Sequence, residues 1–229
     1  MRTKSILILF LLVSLLSACN LTSSSQIEAS PTIPSTPLPF PTPIPPTSLP
    51  TEEAILPSAT PSSTNQVVLN LASQVMQTLK NQDMLSLSSF VHPVDGVRFS
   101  PYAYVQDTDQ VFSAEKVAGI MADSSVYDWG HYAGTGESIQ LSFPEYYSKF
   151  IYDVDFTNAP QVSLNHRLST GNSIDNSVEF YPGAMVVEYY FPGFDPQYGG
   201  MDWRSLRLVF SEVDTTWYLA SIIHDEWTP

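Results

Sequence analysis

Between positions 92 and 104 the sequence brings together polar and aromatic residues that could bind an anion. His92, Arg98, Tyr102 and Tyr104 lie in this stretch, and Arg98 is one of few basic residues in an acidic chain. A guanidinium group binds a planar carboxylate or phosphate through two parallel hydrogen bonds. We therefore predict a ligand-binding site formed by Arg98, Tyr102 and Tyr104 together with Trp203. The alternative is that Arg98 forms an ion pair with a carboxylate and attaches its strand to a helix.

The polar end of the chain contains a second candidate. His224 and Asp225 are a histidine and a carboxylate, the residue types that transfer protons in many active sites. Adjacent residues of a strand point to opposite faces, so these two side chains should not meet. The alternative is a polar strand end against which Trp227 folds back. By the same parity, Arg204 and Arg207 should face opposite sides of their strand.

Metal and cofactor chemistry has little support. The pairs Asp107–Asp109 and Asp153–Asp155 place carboxylates two residues apart, as calcium loops do, but neither run has the glycine and terminal glutamate of an EF-hand loop. The four histidines lack zinc-ligand spacing. The sequence has no Gly-Xaa-Ser-Xaa-Gly elbow, P-loop or dinucleotide fingerprint. We therefore predict no metal and no cofactor, and we assign no catalytic residue.

Aromatic residues in and beside loops rich in glycine and proline offer a third possibility. They could stack on a sugar or a peptide, or they could fill the core of a domain that has no disulfide. The residues are Tyr127, Trp129, His131, Tyr132, Phe194, Tyr198 and Trp203.

The start of the chain has the pattern of an export signal. Arg2 and Lys4 precede an apolar stretch, Ile6 to Leu16, that is too short to span a bilayer and is followed by small residues. Residues 1–18 are therefore predicted to be a signal peptide. The tetrapeptide Leu16-Ser17-Ala18-Cys19 resembles the lipobox of bacterial lipoproteins, in which the cysteine is acylated and becomes the first residue of the mature chain. An ordinary secretory signal with an incidental cysteine is the alternative.

This resemblance implies a protein held on the extracytoplasmic side of a bacterial membrane by lipid on Cys19. A diacylglyceryl group supplies two acyl chains, which anchor a protein stably where one chain gives only marginal binding. No later segment approaches the roughly 20 apolar residues of a spanning helix. Because Cys19 is the only cysteine, its acylation leaves no thiol for a disulfide.

Residues 19–64 are predicted to be a disordered linker that follows the lipidated cysteine. Thr22–Thr64 contains 11 of the 19 prolines, no glycine and many serine and threonine residues. Such proline density favours extended polyproline II structure, which makes a semi-stiff spacer. Residues 65–229 then form a single domain, which is long enough to bury a sizeable core.

The charge of the chain excludes one class of partner. Without Arg2 and Lys4, 7 basic and 23 acidic residues remain, a net charge of −16 with histidines neutral. A protein this acidic is not expected to bind nucleic acid. The predicted partners are the membrane, through lipid on Cys19, and a small molecule, a glycan or a protein.

Hydrophobic spacing predicts four helices. Asp83 is predicted to cap the second, which must stop before Pro93, and Ser113 to cap the third. Ser142 and Glu145 form a capping box that predicts the fourth helix over Phe143 to Ile151. The first helix has Asn65 as its predicted cap and the following residues on one face: Val68, Leu71, Ala72, Val75, Met76 and Leu79.

Alternation and β-branched residues predict strands in the remainder. The last two strands should form a hairpin closed by Glu212 to Thr216. Leu206, Leu208 and Phe210 are predicted to share one face of it, opposite a face of the partner strand with Trp217, Leu219 and Ile223. The predicted strands are Val97 to Phe99, Val126 to Tyr132, Gln161 to Leu168, Ala184 to Phe191, Trp203 to Phe210 and Trp217 to His224.

The order of these elements resembles the nuclear transport factor 2-like fold. The stretch from Asn81 to Leu87 with Val91-His92-Pro93 is similar to the passage between the first two helices of such domains, and the terminal hairpin is similar to their closing strands. The segments Val91 to Tyr102 and Met201 to Arg207 also resemble uncharacterised bacterial lipoproteins. The resemblance implies an α+β fold, with N-terminal helices packed on a curved antiparallel sheet.

Two functions follow from this reading. The first is a membrane-anchored, non-enzymatic binding module, motivated by the predicted spacer and the missing catalytic motifs. The second is a small acid–base enzyme of the isomerase or dehydratase type, with tyrosine hydroxyls as oxyanion donors. The second requires an open pocket in the curved sheet where an aspartate or histidine lies next to a tyrosine hydroxyl.

Overall fold

The structure is a computed structural model that describes residues 63–169 and 171–229. The predicted signal peptide, the predicted lipid attachment site Cys19 and the predicted linker as far as residue 62 lie outside the described residues. Within the part of the chain that is described, no helix has both the length and the apolar character needed to cross a membrane.

The first helix, α1, spans Thr64–Lys80. It begins one residue before Asn65 because the side chain of Ser63 accepts a hydrogen bond from the N–H of Gln66 and caps the first turn. The prediction that Asn65 is the cap is therefore wrong. The buried residues recur at helical spacing on the predicted face: Val68, Ala72, Val75, Met76 and Leu79.

The other predicted helices form where their capping residues place them. α2 (Met84–Ser88) is capped by Asp83, and α3 (Ala114–Gly119) is capped by Ser113. α4 spans Phe143–Phe150, and the carboxylate of Glu145 accepts hydrogen bonds from the N–H and hydroxyl of Ser142. Shorter helical turns lie at Ile120–Ala122, Phe156–Asn158, Ser177–Phe180 (α5) and Pro196–Tyr198.

A six-stranded sheet carries most of the domain. Its strands are β1 (Val97–Ser100), β2 (Gln110–Phe112), β5 (Gln161–Leu164), β6 (Met185–Phe191), β7 (Arg204–Val213) and β8 (Thr216–Glu226). They lie in the order β2-β1-β8-β7-β6-β5, and neighbours are antiparallel except β1 and β8, which are parallel. A separate hairpin pairs β3 (Val126–His131) with β4 (Ser138–Ser142).

β5 ends four residues before the predicted boundary at Leu168. Asn165 has a positive φ of 55°, so the chain turns out of the sheet at this residue. The N–H groups of Leu168 and Ser169 donate to the carboxylate of Glu188 instead of to a neighbouring strand. Residues 165–169 and 171–184, which we call the outer segment, therefore lie along one face of the sheet.

A β-bulge in β8 changes the faces of the terminal hairpin. Phe210 pairs with Leu219 and Val209 with Ser221, so Ala220 has no partner in β7. Leu219 and Ile222 consequently face the helices, whereas Ile223 packs with Val209 on the opposite face. The prediction that Ile223 shares a face with Trp217 and Leu219 is wrong, because one extra residue reverses the alternation beyond it.

The two faces of the sheet differ in composition. The main apolar core lies on the helix-facing side and includes residues of α1, α4, β6, β7 and β8. The opposite face, which we call the outer face, carries a small apolar cluster around Val209 and a group of charged residues under the outer segment. The fold is therefore α+β, with helices packed on a curved and mostly antiparallel sheet, as predicted.

Candidate functional site

Arg98 lies on the outer face and holds a loop in place. Its Nη1 donates to the carbonyl oxygens of Gln106, Asp107 and Asp109 at 2.8, 3.2 and 3.1 Å, and its guanidinium carbon is 5.0 Å from the centroid of the Phe180 ring. None of the ion pairs formed by the described residues includes Arg98. Carbonyl groups therefore take the place of the predicted carboxylate, and ligand binding by Arg98 stays a prediction.

The other predicted site residues lie apart from Arg98. The ring of Tyr102 packs edge-on against Phe150 in the helix-facing part of the domain, and its hydroxyl accepts a hydrogen bond from the N–H of Ala133. Tyr104 is 54% exposed on the following loop. Trp203 is buried on the outer face beside Tyr190, with ring centroids 6.1 Å apart. The structure thus places Arg98 and Trp203 on the outer face, Tyr102 on the helix-facing side and Tyr104 on an exposed loop.

Tyr102 instead belongs to an open cleft between the β3–β4 hairpin and the end of β8, which we call the hairpin cleft. Its volume is about 530 Å³. Tyr132 and Trp227 contribute aromatic rings, and Trp227 is 42% exposed. Trp227 therefore lines a cleft, in contrast to the alternative prediction that it folds back on apolar surface. The remaining lining residues are Ala133, Thr135, Glu137, Lys149, Glu226, Thr228 and Pro229.

Lys149 contributes the positive charge of the hairpin cleft. It lies on the exposed side of α4, one residue before the buried Phe150. Its Nζ is 4.4 Å from the centroid of the Tyr132 ring, within the range of a cation–π contact. Glu137 and Glu226 provide carboxylates elsewhere in the same cleft. The cleft thus combines aromatic faces with hydrogen-bonding groups of both charge signs.

Behind Glu226 a chain of charged side chains leads into the protein interior. Arg204 Nη2 is 3.2 Å from Glu226 Oε2, and Arg204 Nε donates to Asp153 Oδ2 at 2.7 Å. Burial acts to raise the pKa of Asp153, but His224 and Arg204 outweigh it and hold the pKa below its ordinary value of 3.8. The wall of the cleft is therefore connected to a buried carboxylate.

His224 ends this chain and has no access to solvent. Its Nε2 is 3.5 Å from Asp153 Oδ2, and its Nδ1 is 3.3 Å from the carbonyl oxygen of Pro101. The ring is 1% exposed and lies edge-on to Phe150. His224 and Asp225 point to opposite faces, as predicted. The histidine that an acid–base mechanism would use is thus enclosed in this structure.

The space between helices and sheet around His224 is filled by aromatic rings. Trp129 and Tyr146 stack with centroids 3.6 Å apart, and Phe99 and Phe143 pack edge-on at 5.4 Å. Burial raises the pKa of Tyr146 well above its ordinary value, so this hydroxyl stays protonated. The open pocket that the enzyme hypothesis requires is not seen where these rings pack. Trp129, predicted as a possible stacking surface, is a core residue.

Comparison with known proteins adds little beyond this geometry. No family model matches the sequence, and no curated protein matches it. A solved structure from Xanthomonas campestris, described as a calcium/calmodulin dependent protein kinase II association domain, is 15% identical, with a TM-score of 0.32. The alignment covers 74% of this chain and 92% of the Xanthomonas campestris chain. A designed nuclear transport factor 2-like protein is 12% identical, with a TM-score of 0.29, and covers 70% of this chain and 97% of its own.

Three of the four acidic residues considered as metal ligands have other side-chain partners. Asp109 accepts hydrogen bonds from the hydroxyl of Ser100 and the N–H of Gln106. Asp153 binds Arg204, and Asp155 accepts hydrogen bonds from Lys80, Tyr152 and Thr157. Among residues 63–169 and 171–229, no group of three or more histidine, cysteine, aspartate or glutamate residues is arranged to hold a metal ion.

Sequence reasoning identified part of the hairpin cleft. It picked out Tyr102 and Tyr132 as candidate ligand contacts and Trp227 as an aromatic at the strand end. It considered Glu226 only as part of the polar strand end, and it missed Lys149, because nothing in the local sequence of α4 shows which residue of another element this lysine faces. Only the packing of α4 beside the end of β3 brings Lys149 to Tyr132.

Proposed function

We propose that this protein is an extracytoplasmic lipoprotein, anchored to a bacterial membrane through lipid on Cys19, whose folded domain binds a glycan or another small polar molecule in the hairpin cleft. The binding is non-enzymatic. The observation that carries the proposal is the convergence of Tyr102, Tyr132 and Trp227 with Lys149 and Glu226 on one cleft.

The size and chemistry of the hairpin cleft support this class of ligand. Its volume of about 530 Å³ lies within the range of about 300 to 1,000 Å³ that is typical of small-molecule sites. The exposed faces of tyrosine and tryptophan stack on sugar rings, and such rings combine an apolar face with a polar edge. Lysine donates and glutamate accepts hydrogen bonds, so hydroxyl groups of a sugar can pair with Lys149 and Glu226.

The charge and the predicted spacer support a role away from the lipid surface. An acidic domain on a semi-stiff linker is repelled by anionic headgroups and stands off from them. The same charge disfavours polyanionic ligands. A neutral or weakly charged saccharide is therefore favoured over a phosphorylated one.

A glycan array probed with the labelled mature protein tests the proposal. Isothermal titration calorimetry then measures the Kd of each saccharide that binds. Trp227→Ala should weaken binding at least tenfold, about 1.4 kcal/mol, because it removes a stacking surface. Tyr198→Ala is the matched control, since Tyr198 is a half-exposed aromatic outside the cleft, and it should leave the affinity unchanged. Binding that survives Trp227→Ala and Tyr132→Ala, or turnover of the bound saccharide, would overturn the proposal.

A further inference from the structure

The hairpin cleft carries more negative than positive charge on its walls. Glu137 and Glu226 contribute two carboxylates and Lys149 contributes one ammonium group, so the lining has a net charge of −1. Arg204 and Asp153, which lie behind Glu226, have opposite charges and leave this balance unchanged. The charge of the cleft therefore has the same sign as the −16 of the mature chain, counted with histidines neutral. Both charges favour a cationic ligand over an anionic one.

Glu137 is held beside the aromatic rings of the cleft by the backbone of the β3–β4 hairpin. Its carbonyl oxygen accepts a hydrogen bond from the N–H of Tyr132 at 2.8 Å, and its own N–H donates to Thr135 Oγ1 at 3.3 Å. The residue is exposed, and none of the ion pairs formed by the described residues includes it. The carboxylate of Glu137 is therefore accessible to a ligand in the cleft.

Glu226 keeps part of its negative charge available to the cleft. Its Oε2 is 3.2 Å from Arg204 Nη2, and 26% of the side chain is accessible to solvent. Burial raises the pKa of Tyr102, the hydrogen bond from Ala133 opposes this rise, and the negative charge of Glu226 adds to it. The charge of Glu226 thus acts inside the cleft, although Arg204 pairs with one of its oxygens.

Lys149 shows that the aromatic wall of the cleft accepts an ammonium group. Its Nζ lies 4.4 Å from the centroid of the Tyr132 ring and 5.7 Å from that of Phe150. No carboxylate of the described residues lies within 4.0 Å of this nitrogen, so Lys149 does not pair directly with either glutamate. None of the cation–π contacts among the described residues involves Trp227, whose ring is left for the ligand.

We propose that the saccharide bound in the hairpin cleft is an amino sugar with a free, positively charged amino group. This inference rests on the proposed function, because it specifies the ligand of the same cleft. The sugar ring stacks on Trp227, and the ammonium group pairs with the carboxylate of Glu137. An N-acetylated sugar lacks the charge, and a uronic acid would bring a third negative charge beside Glu137 and Glu226.

The indole N–H signal of Trp227 in a ¹⁵N-correlated NMR spectrum reports binding at this cleft and not elsewhere on the acidic surface. The signal is assigned by its loss in Trp227→Ala. The mature protein is titrated with the methyl glycosides of glucosamine, N-acetylglucosamine and glucose, and with the three corresponding galactose derivatives. We expect the free-amine form of at least one series to bind about fivefold more tightly than its N-acetyl and hydroxyl forms, the gain expected from an accessible ion pair.

Glu137→Gln tests the partner of the ammonium group. It should reduce the ratio between the Kd values of the N-acetyl and free-amine forms to about twofold or less. Glu212→Gln removes the same charge from an exposed glutamate of β7 that lies outside the cleft. This matched control should keep the wild-type ratio. A ratio that falls equally in both variants would show that only the overall charge selects the ligand, and it would overturn the inference.

Three further results would overturn the inference. N-acetyl or hydroxyl forms that bind as tightly as the free-amine forms would exclude it and leave the proposed glycan site intact. Equal binding of Nα-acetyl-lysine methylamide would show that the cleft takes an ammonium group without a sugar ring. Absence of a saturable shift with all six glycosides up to about 50 mM would also exclude it, and the glycan array then decides the proposed function separately.

Discussion

The imidazole of His224 lies 3.5 Å from the carboxylate of Asp153, although the two residues are far apart in the sequence. His224 is at the end of β8, and Asp153 follows α4. Arg204 completes the contact from β7, because its Nε donates to the same oxygen of Asp153. Asp153 therefore links the segment after α4 to β7 and β8, the two central strands of the sheet, next to the hairpin cleft.

Replacement of Asp153 should reveal the strength of this connection and its dependence on pH. We expect Asp153→Asn to lower the free energy of unfolding by about 3 kcal/mol at pH 7, the lower end of the range for breaking a buried ion pair. Because the pKa of Asp153 is depressed in the folded protein, its stabilisation is present above the unfolded value and is lost as the pH falls through the folded value. The difference between variant and wild type should therefore shrink as the pH is lowered below 3.8, the ordinary pKa of this carboxyl group.

Urea denaturation of both proteins at pH 7 and at one pH below 3.8 measures this change in the free energy of unfolding. Asp107→Asn is the control, since Asp107 is exposed and should contribute within about 0.5 kcal/mol at either pH. A difference for Asp153→Asn that is the same at both pH values would show that the contacts of Asp153 do not depend on its ionisation.

Arg98→Ala distinguishes a structural role from a ligand-binding role. Because Nη1 bonds to three loop carbonyls, we expect the variant to lose about 2 to 3 kcal/mol of stability. The amide protons of Gln106 and Asp109, which close the loop, should exchange faster with solvent. Chemical denaturation and hydrogen exchange measure the two effects. An unfolding free energy within about 0.5 kcal/mol of wild type would instead favour the ligand-binding prediction for Arg98.

The turn of the terminal hairpin contains a strained residue. Asp214 and Thr215 both have positive φ, of 47° and 70°, and this conformation is unfavourable for a β-branched side chain. Thr215→Gly should therefore raise the free energy of unfolding by about 1 kcal/mol, which a thermal melt measures. Thr216→Gly, at the first residue of β8, should instead lower it by about 0.5 to 1 kcal/mol. A loss of stability in Thr215→Gly would show that the turn is not strained.

The lipid anchor is tested by Cys19→Ser in a bacterial host. If Cys19 carries the lipid, the variant should accumulate as an unprocessed precursor, incorporate no labelled fatty acid and leave the detergent phase on partitioning. Wild-type protein expressed in parallel is the reference for all three measurements. Labelled fatty acid that still attaches to the variant would exclude Cys19 as the modification site.

Local sequence patterns determined most of the secondary structure. The helical face of α1 and the caps at Asp83 and Ser113 were predicted correctly, because helix formation depends on residues within four positions of each other. Strand parity correctly separated Arg204 from Arg207, because no irregularity lies between them. The acidic charge is likewise a property of the linear chain, and the export signal stays a prediction from it.

Tertiary structure determined which side chains share a face of the sheet and which residues come together in a site. The bulge at Ala220 moved Ile223 to the outer face, and it depends on how β7 and β8 pair over their whole length. In the hairpin cleft Lys149 lies beside Tyr132, and the pairing of β6 with β7 places Glu188 beside Arg207, so both contacts join separate elements. Such contacts follow from strand register and from the packing of helices on the sheet. These are long-range interactions that no spacing of residues along the chain encodes.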